Sequence, residues 1–281
     1  MGAGGIAGAI AKTTVAPLDR VKILYQVSNL ERFSFIAAYR SASRIIQSEG
    51  ILGLWKGNIA TLLRIIPYAA IQYSSFERFQ RLWIELYGGD INGDISGIER
   101  FISGSAAGAT SVIATYPLDL LRTRMAVDQH HPVRRLGHLK KITAKIITDR
   151  GILGLYRGML PTLLGIVPYA GISFWTFETL KSRLFQGRVH DLHPADRFLM
   201  GACAGLLAQS ASYPLETIRR RMQVMSSSNQ SILSLALEIY RTEGLIRGLY
   251  KGLSMNWIKG PIATGLSFTV YDLVKTSLST S

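Results

Sequence analysis

Six ionisable side chains in one recurring pattern carry the first chemical signal. Asp19 with Lys22, Asp119 with Arg122, and Glu216 with Arg219 stand two and five residues after Pro17, Pro117 and Pro214. The prolines are 100 and then 97 residues apart, so one structural unit is used three times. On a helix, residues three apart share a face, so each acid points the same way as its base. Such groups do no bond chemistry by themselves. What they can do is make and break ion pairs. In mostly apolar stretches ionised side chains are costly, and if those stretches lie in a membrane they mark function.

Two further sets of matched positions accompany them. Aromatic-base-Gly occurs as Trp55-Lys56-Gly57, Tyr156-Arg157-Gly158 and Tyr250-Lys251-Gly252, and seven residues on come Arg64, Gly165 and Lys259. Free backbone N–H groups at a helix start bind phosphate, and an adjacent base and aromatic suit a lipid headgroup. Aromatic-acid then occurs as Phe76-Glu77, Phe177-Glu178 and Tyr271-Asp272, followed by Gln80, Lys181 and Lys275. Gln80 breaks the pattern by replacing a base, and Arg81 is rotated about 100° away on a helix.

The elements that must position these groups read as helix, short helix, helix in each unit. Each unit opens on a small-residue stretch with Gly-x-x-x-Gly: Gly4 to Gly8, Gly104 to Gly108, Gly201 to Gly205. The short amphipathic helices fall near 35–47, 139–148 and 232–241. Strand alternation is missing from the long stretches, which favours helix. Solenoid units run about 20–50 residues, far below this period. The expected units are 1–88, 97–187 and 193–281, together forming one transport domain. The first helix of each unit carries the internal proline, which removes a backbone bond and kinks it. Three kinked helices related by pseudo-threefold symmetry would converge at one end.

Composition narrows the class. Of 281 residues 48% are hydrophobic and mean hydropathy is +0.20, yet no window shows 18 clean apolar residues. Six stretches of roughly 25 residues would each cross about 30 Å of hydrocarbon at 1.5 Å per residue. Their charges sit at matching places, as one interior stripe would. The lone Cys203 excludes a disulfide framework, and scattered histidines offer no metal site. A net charge of +14 points to an anionic partner. A basic helical protein binding nucleic acid is the rival class, but the aromatics cluster at inferred membrane boundaries. No triad, metal cluster or P-loop marks an enzyme, and no cofactor is expected.

The triplicated Pro-x-acid-x-x-base followed by aromatic-base-Gly resembles the signature of the mitochondrial carrier family (solute carrier family 25), across essentially the whole chain. The resemblance implies an all-α membrane protein of the mitochondrial inner membrane: six transmembrane helices in three pseudo-threefold repeats with three short matrix helices, functioning as a monomer. It implies a matrix gate of Asp19–Arg122, Asp119–Arg219 and Glu216–Lys22, with Gln26 and Gln223 as braces and Ala126 unable to brace. A cytoplasmic gate of Glu77–Lys181 and Glu178–Lys275 follows, with Asp272 meeting Gln80. Cardiolipin is implied at Trp55, Lys56, Gly57, Tyr156, Arg157, Gly158, Tyr250, Lys251 and Gly252. Repeat two departs upstream: Arg150-Gly151 stands where Glu49-Gly50 and Glu243-Gly244 stand, with Asp149 adjacent.

Substrate contact is implied at Arg64, Gly165, Ile166 and Lys259, with Lys12 and Tyr169 nearby. Gly165-Ile166 leaves a flat apolar floor for a purine, Tyr169 adds an aromatic face, and the bases suit phosphates. The stretches 11–20, 201–205 and 252–261 look most like carriers that exchange coenzyme A for adenine nucleotides such as ADP and adenosine 3′,5′-diphosphate. The alternative is another adenine nucleotide carrier, of the ATP/ADP or ATP-Mg/phosphate type. Against these, Arg219-Arg220-Arg221-Met222-Gln223-Val224 lacks a methionine run, and no EF-hand precedes the repeats. Alternating access is the implied mechanism. Relatives normally carry a leader before the first helix, whereas Met1-Gly2-Ala3-Gly4-Gly5 already reads as helix.

Overall fold

The computed structural model describes residues 2–28, 34–87, 97–128, 136–185, 194–225 and 230–279, with side chains over the same spans apart from some helix ends, 264, 267, 268 and 271–279. Among the described residues there is no strand. Six long helices, α1 (Gly2–Val27), α3 (Asn58–Tyr87), α4 (Gly97–Val127), α6 (Met159–Phe185), α7 (Pro194–Val224) and α9 (Leu253–Ser279), flank in successive pairs the short α2 (Phe35–Glu49), α5 (Leu136–Arg150) and α8 (Ile232–Glu243). A single turn follows each short helix, at Ile51–Trp55, Ile152–Tyr156 and Leu245–Leu249, which the sequence reading did not resolve.

Local sequence accounts for the helix limits. Ser34 and Ser231 cap α2 and α8, their Oγ atoms accepting from the amides of Ala37 and Ser234 at 3.0 and 3.1 Å. Such a cap contributes about 1 kcal/mol. Gly50 and Gly244 stop those helices at φ 78° and 83°, where a Cβ would be strained. Pro17, Pro117 and Pro214 lie inside α1, α4 and α7. Prolines also lie inside the even members of the ring, at Pro67, Pro168 and Pro261, so all six long helices lack one backbone donor.

The helices close into a ring. α3 packs along α4, α6 along α7 and α9 along α1, so the second long helix of each repeat seams to the first of the next. α1, α4 and α7 also touch one another. Under each short helix sits the same small core: Ile45, Ile146 and Ile239 against Leu54, Leu155 and Leu249. Burying each such side chain stabilises by about 1.5–3 kcal/mol.

The outer face is apolar and exposed, with Ile66, Val167, Trp175 and Leu207 all more than half accessible. An apolar belt of this extent marks a surface meant to be covered. By length and composition, Ile152–Arg183 is the stretch among the described residues apolar enough to cross a membrane. The other long helices carry polar and charged side chains that dilute their hydropathy.

Candidate functional site

At the proline end of the ring each acid meets the base of the next repeat. Arg122 holds Asp19, Arg219 holds Asp119 at 2.5 Å, and Lys22 holds Glu216 at 2.6 Å. The pairs join helices of different repeats, α1 to α4 and α4 to α7 across about a hundred residues and α7 to α1 across 194. Because both partners are ionised, they are charge-assisted bonds of the stronger kind. Three cation–aromatic contacts surround them: Lys22 over Tyr213, Arg219 over Tyr116 and Arg64 over Tyr68.

The braces are unequal. Gln223 donates to Asp119 at 2.9 Å and to the Tyr116 hydroxyl at 3.0 Å, and accepts from Thr123 and Arg220. Gln26 donates to the Tyr213 hydroxyl at 3.0 Å, and its Oε1 has no partner among the described residues. Each tyrosine passes the bond on, Tyr116 to the Arg157 carbonyl and Tyr213 to the Lys251 carbonyl. At the third corner both halves are alanine: Ala126 where a glutamine would be, Ala16 where a tyrosine would be. These tyrosines were missed from the sequence, although Tyr-Pro at 116–117 and 213–214 against Ala-Pro at 16–17 carries the signal. Without the ring there, α4 comes closer. A Cβ on Gly57 would lie 2.8 Å from the Arg122 carbonyl oxygen, against 3.1 Å from Gly158 to the Arg219 oxygen.

Two bases expected at the substrate lie on acids of the ring. Arg64 reaches Asp119 Oδ1 at 3.2 Å, and Lys259 reaches Asp19 Oδ1 at 2.5 Å. Each spans from the second long helix of one repeat to the acid of the next. By the same rule the residue at 165 would reach Glu216, but Gly165 has no side chain. Glu216 instead takes a long bond, 3.4 Å, from Asn256. Its side chain is 26% exposed, against 3% for Asp119 and 8% for Asp19. A cavity of about 560 Å³ opens there, lined by Gly165, Ile166, Tyr169, Tyr68, Glu216 and Arg219. Arg64, Lys259 and Lys12 are not on its wall. Lys12 is exposed on α1, where its charge interacts with those of Lys259, Asp19, Arg122 and Arg64.

Two sets of expected contacts are arranged differently in this state. Lys181 does not meet Glu77. It stays 3.5 Å from Glu178 on its own helix, where i,i+3 spacing brings them together. Glu77 has no ion pair among the described residues, and Gln80 on the same helix has no recorded partner there. The side chains of Asp272 and Lys275, and of Tyr271, lie outside the described residues. Lys56 and Lys251, expected at lipid headgroups, turn inward and are 3% exposed. Lys56 bonds Glu49 and the Asp128 carbonyl; Lys251 bonds the Ser28 carbonyl at 2.6 Å. Neighbouring-repeat carbonyls at helix ends attract these ammonium groups. Trp55 donates to the Thr13 carbonyl, while Tyr156 and Tyr250 stack on Tyr116 and Tyr213.

A ring of interrepeat ion pairs at one end, an open cavity beside it and a triplicated helical unit define a carrier. The mitochondrial carrier protein family model matches residues 1–86, 93–188 and 190–281, and the chain belongs to that family. It is 50% identical over 277 residues to the Mitochondrial coenzyme A transporter SLC25A42 of Xenopus tropicalis, covering 97% of this chain and 83% of that protein. Its human counterpart is 49% identical over 278 residues, 97% of this chain and 85% of that one. Human Solute carrier family 25 member 16 is 41% identical over 295 residues, 97% of this chain and 86% of that one.

Proposed function

We propose that this protein is a multi-pass antiporter of the mitochondrial inner membrane that exchanges coenzyme A for adenine nucleotides, such as ADP and adenosine 3′,5′-diphosphate, by alternating access. The observation that carries this reading is the double engagement of Arg64 and Lys259. Both bases suited to cargo phosphates are bonded to gate acids, Asp119 and Asp19. A phosphate that takes over either base withdraws one partner from a gate acid. Cargo binding and gate loosening then become one event. Only such differential binding can shift a two-state equilibrium.

Gly165, Ile166 and Tyr169 supply a flat apolar slot for the purine, and the missing base at 165 leaves the cavity open to Glu216 and Arg219. The formed ring pairs, with Lys181 resting on its own helix, support reading this arrangement as a state closed at the ring end. The apolar outer belt faces lipid, and one six-helix ring encloses the path, so a monomer suffices. Cardiolipin phosphate at the aromatic-base-Gly turns would be held by backbone N–H groups, since Lys56 and Lys251 are committed inward.

Exchange in proteoliposomes tests the reading. With ADP inside, labelled coenzyme A or adenosine 3′,5′-diphosphate outside should be taken up. Movement of ATP without coenzyme A would replace this cargo assignment with that of an ADP/ATP or ATP-Mg/phosphate carrier.

A further inference from the structure

The three repeats fasten the ends of α1, α4 and α7 with one device, and repeat two lacks a part of it. In each repeat an arginine Nε donates to a backbone carbonyl of the neighbouring first helix. Arg20 reaches Ala126, Arg221 reaches Gln26 and Arg124 reaches Gln223, at 3.0, 3.0 and 2.5 Å. The three acceptors are equivalent, nine residues after their prolines. Arg124 and Arg221 are equivalent too. Arg20 lies one helical turn earlier than the matching Leu24, yet reaches the same place.

In repeats one and three a carboxylate at the end of the short helix completes the guanidinium. Glu49 accepts from Arg20 at 2.7 and 3.0 Å, and from Lys56 at 3.2 Å. Glu243 lies 2.5 Å from Arg221 and 3.7 Å from Lys251. Those carboxylates are only about a tenth exposed. In repeat two the equivalent residue is Arg150. Arg124 has its carbonyl bond and no ion pair among the described residues. Its charged neighbours are Arg150, which repels it, and the weaker Asp149.

A cavity of about 530 Å³ adjoins this gap, between α4, α5 and the end of α7, lined by Arg124, Asp128, His138, Lys141, Lys145 and Asp149. Asp128 is bonded to His138 at 3.0 Å. With Arg150 beside it, four bases stand against two acids, an excess of two positive charges around one space. Two excess charges match a phosphate dianion. A guanidinium fork binds such an oxyanion with two parallel bonds, as Arg20 binds Glu49.

We propose that the space between Arg124, Lys145 and Arg150 binds a phosphate group, which takes the place that Glu49 and Glu243 fill in the other repeats. The site is separate from the cargo cavity and does not depend on the cargo. It is also coupled to the gate, because Arg124 holds the backbone of Gln223, whose side chain braces Asp119.

The test uses the full chain purified in detergent, with its thermal unfolding midpoint read against inorganic phosphate at constant ionic strength. Phosphate should raise the midpoint of the unaltered protein. Arg150→Glu should raise the midpoint without phosphate and increase the half-maximal phosphate concentration by at least about tenfold, the loss of one charged hydrogen bond. Lys145→Ser, which touches no helix contact of the ring, should weaken the response in the same direction and serves if Arg150→Glu does not fold. Arg64→Ala should leave the phosphate response intact, since it lies in the cargo path. A parallel titration with cardiolipin separates sources: a response to lipid but not phosphate, lost in Arg150→Glu, assigns the site to a headgroup. If neither ligand gives a response sensitive to Arg150→Glu or Lys145→Ser, or if Arg64→Ala alone removes it, the site does not exist.

Discussion

Lys259 Nζ lies 2.5 Å from Asp19 Oδ1, on the far side of the carboxylate from Arg122. One acid therefore takes one cation from the ring and a second from the last long helix. Removing Lys259 takes one of two cations from Asp19 and, on the proposed function, uncouples cargo from gate. Lys259→Met should lower proteoliposome exchange by at least about tenfold, the effect of losing one charged contact made in the transported state. Exchange at the unaltered rate would show that Lys259 does not couple the two.

Gly165 is where the threefold pattern of second-helix bases is broken. A Cβ there would meet Leu215 at 3.9 Å, an ordinary contact, so a longer side chain has room to start. Gly165→Arg should place a cation toward Glu216, fill the cavity and lock the ring. The expected outcome is a raised thermal midpoint together with loss of exchange. A variant that still transports would mean cargo does not pass this position.

Gln223 and Gln26 occupy matching positions but make different numbers of bonds. Gln223→Ala strips partners from Asp119, Tyr116, Thr123 and Arg220, whereas Gln26→Ala releases Tyr213 alone. Each buried group left unsatisfied costs about 1–3 kcal/mol. Thermal unfolding in detergent should therefore fall further for Gln223→Ala. Equal losses would contradict the asymmetry of the braces.

Gly57 combines φ 91° with the closest approach of a neighbouring backbone. Gly57→Ala meets both a left-handed conformation, costing about 1–2 kcal/mol, and the Arg122 carbonyl. Gly252→Ala has similar φ, but its nearest contact is the Tyr213 hydroxyl at 3.2 Å, a less severe approach than 2.8 Å to a backbone oxygen. The first variant should lose more stability, read as the unfolding midpoint in the same detergent.

Much of this molecule was legible in one dimension. The triplicated period placed the six long helices and three short ones, and helical spacing put each acid with a base on one face. Pro67, Pro168 and Pro261 also stand in the sequence, without the acid and base two and five residues on that mark the other three. The resemblance supplied the ring partners, and the structure joins Asp19 to Arg122, Asp119 to Arg219 and Glu216 to Lys22.

Other features belong to the tertiary structure alone. Which way Lys56 and Lys251 turn depends on helix-end carbonyls of another repeat, about 70 and 220 residues away, so no local pattern holds that information. The Gln–Tyr pairs and their Ala16–Ala126 counterpart likewise exist only once α1, α4 and α7 are packed side by side. That Arg64 and Lys259 rest on gate acids follows from a seam between one repeat's second helix and the next repeat's first. Sequence determined the parts and their threefold order. Packing decided which charges share a partner and which corner goes without, because ion pairs are set by distances of a few ångströms across a ring that the chain closes only on folding.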